Sequence, residues 1–303
     1  MNTLETLKFF RKLNKLTQKE MLNNQSKYRR IETQETTLSF DDWILLLQKL
    51  EITPKEFFAV AENSYDTKVA FIKKQYKKCC KDPYTTDEKN KLLKDFEQLN
   101  NNENKSLTEL SIYINIKMYF HDLWEEVPVV NQKDIEIIQN KLENKYFYSH
   151  HCYQLFTNTA LYFNNDTIDL FMKKMYPIEH INNRDTSTLY MAYLIYPNLA
   201  TKFLFEKNYK KAEYYINQGQ TQLLMNNYPY IKLQLTYLKN TLNYLIGNKK
   251  KDHVLTLKTI KTIKDLYGDT IAKKFKNEFE DLCMKVPLKT RLIEKNAVDT
   301  TKH

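Results

Sequence analysis

A chain of 303 residues, 42% hydrophobic and 28% charged, can bury a sizeable core or join a small domain to a larger one. Only 3 Gly and 7 Pro leave little material for hairpins or phosphate-cradling loops, so an all-α protein of helices joined by short turns is expected. The 47 Lys and Arg exceed the 37 Asp and Glu by 10, a balance that attracts phosphate backbones, while no run nears the roughly 18 apolar residues of a bilayer span; the reading is cytoplasmic, without a membrane partner.

The first sixty residues are dense in helix-start signals. Asn2-Thr-Leu-Glu5, Thr17-Gln-Lys-Glu20 and Thr53-Pro-Lys-Glu56 each have the spacing of a capping box, and Ser39-Phe-Asp-Asp42 is a near relative. In such a box two orphan N–H groups are satisfied reciprocally. Pro54 stands at a first helical position, where its missing N–H costs nothing. With a basic segment opening near Ser26, these starts predict five short helices. Leu4, Leu7 and Phe10, then Met21, then Tyr28 and Ile31, then Ile44, Leu47 and Leu50, then Phe57 or Phe58 fall on single helical stripes. The chain must turn within a few residues around Asn23, Asn24 and Gln25, which is helix-turn-helix spacing.

From about Ser64 to Lys285 longer helical segments follow, divided by turn signals at Asp82-Pro83, Asn100 to Asn104, Val127-Pro128, Asn164 to Asp166, Asn182-Asn183, Asn226-Asn227 and Gly247-Asn248. Their spacing suits stacked helical hairpins of the tetratricopeptide kind, a superhelical array. Gly219, Gly247 and Gly268 each lie near the end of an apolar run, where a left-handed cap is useful. The four cysteines lack C-x-x-C spacing and read as reduced thiols. Neighbouring His150, His151 and Cys152 point about 100° apart on a helix and do not converge on one metal ion. Tyrosines at helical spacing mean core packing, so no cofactor is inferred. The organisation is a helix-turn-helix domain over residues 1–62, a helical-repeat domain over 63–285, and a tail over 286–303 that loses periodicity and reads as mobile.

The segment SKYRRIE, Ser26 to Glu32, gives the chain its functional direction. As the second helix of a helix-turn-helix it would present its first residues to base edges in a major groove. Ser26 would cap the helix or meet a phosphate, Lys27 and Arg29 would project outward, and Tyr28 and Ile31 would face the core. Arg30 would reach phosphate or pair with Glu32, and Gln18, near the start of the preceding helix, would donate to the DNA backbone. Gln18, Gln25, Ser26, Lys27, Arg29 and Arg30 are therefore the candidate DNA-binding residues. For KYRR alone, a solvated basic patch with no partner is the competing reading.

LTQKEM, SKYRRIE and LSFDDWILLLQKLEITPKEFF together resemble the Xre-type helix-turn-helix, particularly that of the Rgg/GadR/MutR regulators of Gram-positive bacteria. Ser26, Arg30, Ile31 and Glu32 fit the family's S-x-x-S-R-[FI]-E frame, and Leu46, Leu47, Leu50, Ile52, Thr53, Glu56 and Phe57 its following helices. LFTNTALYF, from Leu155, resembles the family's L-F-x-N helix, and NYKKAEYY and LKNTLNYLIGN its later hairpins. The resemblance implies a homodimeric transcriptional regulator whose helical repeats bind a short linear peptide, as in quorum sensing. Three departures stand out: the interval from Thr17 to Glu32 is about three residues short, Thr33 replaces a glycine, and Arg29 replaces a serine.

A short reading helix covers few base pairs, so useful affinity requires two half-sites and a dimer. In the repeat domain, Asn or Arg side chains can bind the backbone of an extended peptide while aromatics accept its side chains. Asn158, Arg184, Tyr190, Tyr237 and Asn240 are the candidates, of which only Asn158 lies in a family-like motif. The alternative function is a protein-binding repeat scaffold whose first domain no longer binds DNA. An enzyme has least support, because H-E-x-x-H, G-x-S-x-G, P-loop and paired-glycine fingerprints are missing.

Overall fold

The computed structural model describes residues 3–22, 24–33, 35–61, 68–81 and 83–284. Every regular element among them is helical, and they divide into two compact units, residues 1–74 and 75–303. The tail over 286–303, and Asn2 of the first capping box, lie outside the described residues. No helix among the described residues is long and apolar enough to cross a membrane.

The first unit holds α1 (Thr3–Leu13), α2 (Gln18–Met21), α3 (Gln25–Glu32), α4 (Phe40–Lys49) and α5 (Pro54–Ala61), the five helices that the sequence signals predict. The caps form as local chemistry dictates. The Thr53 N–H donates to Glu56 at 2.7 Å while Thr53 Oγ1 accepts from the Glu56 N–H at 3.2 Å, and Ser39 Oγ accepts from the Asp42 N–H at 3.1 Å. Before α2, the Thr17 N–H donates to Glu20 at 2.6 Å. The core is Leu7, Met21, Tyr28, Leu46, Leu47, Leu50, Phe57 and Ala61. Phe57, not Phe58, is the buried member of its pair, with Phe10 stacked on it at 6.4 Å and Trp43 meeting it edge-on at 5.7 Å. Fully burying each such side chain contributes about 1.5–3 kcal/mol.

After α6 (Lys68–Cys79), the second unit runs through α7 (Thr86–Asn101), α8 (Leu107–Phe120), α9 (Gln132–Glu143), α10 (His150–Thr159), α11 (Asn165–Met175), α12 (Thr186–Tyr193), α13 (Ile195–Phe205), α14 (Tyr209–Gln220), α15 (Pro229–Gly247), α16 (Lys250–Tyr267) and α17 (Asp269–Met284). Expected turns fall between them, Asp82 of the first lying outside the described residues. Helices α8, α10, α13 and α15 form a row in which each touches the next, and α7, α9, α14 and α16 pack on members of that row. Helix α8 is buried on nearly all sides, including Lys117, whose Nζ sits 2.5 Å from Asp134 of α9. That carboxylate also accepts from the Asn131 N–H at 3.0 Å, so the buried charge is paired and hydrogen-bonded.

The glycine expectation holds only in part. Gly268 has φ +89 and ends α16. At the end of α15 the left-handed residue is Asn248, φ 46, rather than Gly247. Gly219 lies within α14 for lack of room: a Cβ there would stand 2.8 Å from Leu235 Cδ1 and 2.8 Å from Tyr196 Cβ.

Candidate nucleic-acid interface and peptide site

Helix α3 is amphipathic in the sense the DNA reading requires. Tyr28 and Ile31 are 0% exposed, while Gln25, Ser26, Arg29 and Arg30 face solvent. Asn24 is the cap, its Oδ1 accepting from the Lys27 N–H at 3.0 Å, so Ser26 is not the capping residue and stands free on the exposed second position. At the other end the backbone of Thr33 has φ −90, and its hydroxyl donates to the Arg29 carbonyl at 3.0 Å. A glycine is not required where φ is negative, which explains the threonine. Ahead of α3 the chain forms α2, a single turn of four residues.

The side chains predicted around α3 pair differently from expectation. Glu32 does not take Arg30; it accepts from Arg11 Nε at 2.8 Å and Nη2 at 3.4 Å, and from Gln18 Nε2 at 2.7 Å. The Gln18 amide therefore spends a donor inside the fold instead of holding it for a DNA phosphate. Burial alone would raise the Glu32 pKa, but the hydrogen bonds from Arg11 and Gln18, with the nearby Tyr28 hydroxyl and the Arg11 charge, together hold the carboxyl below the usual range. Arg11 also donates to the Leu16 carbonyl at 2.8 Å, tying α1 to the start of α2. Lys27 is only half outward, because its ammonium meets Asp42 of α4 at 2.7 Å. Sequence reasoning missed Arg11 and Asp42 as the positioning partners of this helix.

In the second unit four asparagines recur along the α8–α10–α13–α15 row. They are Asn115, Asn158, Asn198 and Asn240, at intervals of 43, 40 and 42 residues. Asn158 Nδ2 donates to Asn115 Oδ1 at 2.9 Å, Asn198 Nδ2 to the Thr157 carbonyl at 3.1 Å, and Asn240 Nδ2 to Thr259 Oγ1 at 3.1 Å. One donor spent on a neighbour fixes each carboxamide plane. The carbonyl oxygen and second N–H of Asn158, Asn198 and Asn240 are the groups that match the N–H and C=O of an extended peptide. Asn115 and Asn198 were not among the sequence candidates; the near-constant spacing was the signal that could have found them.

The remaining candidates divide. Tyr190 is half-buried, its ring 6.3 Å from that of Tyr228. Tyr237 is core: it is 0% exposed and its hydroxyl donates to the Phe275 carbonyl at 3.1 Å, so it holds α15 to α17 and offers a ligand nothing. Arg184 is a clamp. It donates to the Glu179 carbonyl and the Tyr148 carbonyl, each at 3.0 Å, and its guanidinium stacks 4.1 Å from the Phe147 ring. Those bonds use the fork that would otherwise grip a peptide.

The cysteines are free thiols, and burial pushes Cys79 up to about 11 and Cys80 up to about 12, far from nucleophilic thiolates.

Residues 89–277 match the sequence profile of the C-terminal domain of the HTH-type transcriptional regulator Rgg. Several solved structures share the fold. The PrgX/cCF10 complex has a TM-score of 0.76 at 20% identity over 94% of this chain and 94% of that one. A transcriptional regulator from Listeria monocytogenes EGD-e gives 0.72 at 15% identity, covering 94% and 98%. The SHP pheromone receptor Rgg2 of Streptococcus dysgalactiae gives 0.67 at 16% identity, covering 92% and 99%. At these identities the likeness is one of fold. No curated protein matches the chain.

Proposed function

The chain belongs to the Rgg family of helix-turn-helix transcriptional regulators, and from that premise we propose that it is a sequence-specific DNA-binding regulator, homodimeric and controlled by a short linear peptide. The observation that carries the DNA-binding reading is the partition of α3: Tyr28 and Ile31 fully buried, with Gln25, Ser26, Arg29 and Arg30 exposed along the opposite side. Such a helix has its polar and cationic groups free for base edges and phosphates. Because it spans only a few base pairs, the reading includes a second copy on a second half-site about 34 Å away.

The peptide reading rests on the asparagine row, with Asn158 and Asn240 from the sequence candidates joined by Asn198. It is supported by solved structures of the same fold that include a bacterial peptide pheromone/receptor complex and the SHP pheromone receptor Rgg2. A bound peptide changes DNA binding only through unequal affinity for two arrangements of the dimer. Against the scaffold alternative, which the shortened turn motivates, the DNA-binding reading is supported by an α3 of eight residues with both arginines outward.

Fluorescence anisotropy on duplexes from the DNA upstream of the gene, with and without short apolar peptides, tests the proposal. The expected result is saturable binding to one upstream duplex, shifted by one peptide. Binding indistinguishable from that to a scrambled duplex would count against it.

A further inference from the structure

Lys27 and Asp42 hold equivalent places, each the third residue of its helix, since α3 opens at Gln25 and α4 at Phe40. An anion in the first helical turn is favoured by the unbonded amides, whereas a cation there is not. Asp42 is well sited and Lys27 badly sited, and their contact resolves the mismatch. Lys27 Nζ lies 2.7 Å from Asp42 Oδ1 and 2.7 Å from Oδ2. The carboxylate is itself held, with Ser39 Oγ donating to Oδ2 at 2.7 Å, and its side chain is only 11% exposed.

At about 100° per residue, Lys27 sits on the flank of α3 between exposed Arg30 and buried Ile31. The cleft beside the pair, about 480 Å³, is bordered by Glu20 and Asp42 as well as Lys27 and Lys49. Its charged lining is balanced, so it has no net attraction for phosphate. A phosphate approaching Lys27 must also approach the Asp42 carboxylate, or displace the lysine and leave that carboxylate without its cation.

On the reading that α3 faces DNA, we propose that Asp42 sets the electrostatic strength of the interface: it neutralises Lys27, so that this lysine adds no free charge to it. Non-specific binding follows the number of phosphates neutralised. Removing one cation from that number weakens binding to every sequence, and leaves discrimination to Gln25, Ser26, Arg29 and Arg30.

The test compares the full-length protein with Asp42→Asn and with the double variant Lys27→Met/Asp42→Asn, which strands neither charge. Each is titrated against a duplex selected by the wild-type protein from a random pool and against a scrambled duplex, across a range of salt. Asparagine keeps an acceptor for Ser39. Asp42→Asn should tighten binding to both duplexes alike and steepen the log–log salt dependence by about 0.9, leaving the ratio of selected to scrambled affinity as it is. The double variant should keep the wild-type slope. The inference is overturned if the double variant flattens the slope by about 0.9, which would make Lys27 a free phosphate contact already, or if Asp42→Asn leaves the slope unchanged. Should Asp42→Asn fail to fold, the slope of the double variant decides alone. A wild-type protein that retains no duplex from the pool overturns the DNA-binding reading itself, and this inference with it.

Discussion

Replacing Arg11 by methionine should lower the unfolding temperature of the first unit. The methionine keeps the aliphatic stem but removes the bonds to Glu32 at 2.8 and 3.4 Å and to the Leu16 carbonyl at 2.8 Å. The Glu32 side chain is 5% exposed, so its charge is left with the Gln18 amide and the neighbouring Tyr28 hydroxyl. A charge-assisted hydrogen bond contributes about 1.5–3 kcal/mol and a neutral acceptor about 1, which puts the loss at about 3 kcal/mol. A unit of 74 residues has about 4–11 kcal/mol of stability in total. At about 4–8 °C per kcal/mol, its transition should fall by about 12–24 °C in calorimetry. Adding Glu32→Gln to Arg11→Met should recover about half the loss, because no charge is then stranded. A drop under about 4 °C would refute the reasoning, as would a double variant no more stable than Arg11→Met.

The same unit should weaken in acid. Glu20, Glu32, Asp42 and Glu56 are all held below their ordinary pKa by hydrogen bonds, with burial opposing. Their stabilisation is present above the unfolded-state pKa and is lost as pH falls through the lower folded values, which thermal melts between neutral and strongly acid pH will show. Gly219→Ala forces a Cβ to within 2.8 Å of the Tyr196 Cβ and should cost about 1–3 kcal/mol by denaturant unfolding, with no effect if α14 can shift freely. Asp134→Asn strands Lys117, which is 1% exposed, and should cost about 3–5 kcal/mol, whereas Lys117→Met with Asp134→Leu should be far milder. For the peptide site, Asn198→Ala should weaken a peptide found by thermal-shift screening by about 1 kcal/mol per lost hydrogen bond, while Tyr190→Phe reports whether that half-buried ring touches it.

The first unit was legible because its signals are local. A capping box joins residues three apart, and the alternation of Tyr28 and Ile31 against Arg29 and Arg30 follows from 3.6 residues per turn. Where several residues can play one part, locality fails: Asn24 and Ser26 are both competent caps, and the chain uses Asn24. Partners far apart in sequence were invisible. Arg11 to Glu32 spans 21 residues, Lys27 to Asp42 spans 15, and nothing in either neighbourhood encodes the match. In the repeats, one tyrosine at helical spacing looks like any other, so Tyr237 in the core and Tyr190 at its edge could not be separated. Arg184 reads as a free cation until the carbonyls of Tyr148 and Glu179 are brought to it.

Whether the exposed side of α3 reads DNA is measured most directly by selection from a random duplex pool by the wild-type protein and by Arg29→Ala/Arg30→Ala. Wild type should enrich an inverted repeat with half-site centres about 10 base pairs apart. The double variant, melting as wild type does, should enrich none. Enrichment of the same motif by both proteins, or of nothing by wild type, would contradict the DNA-binding reading.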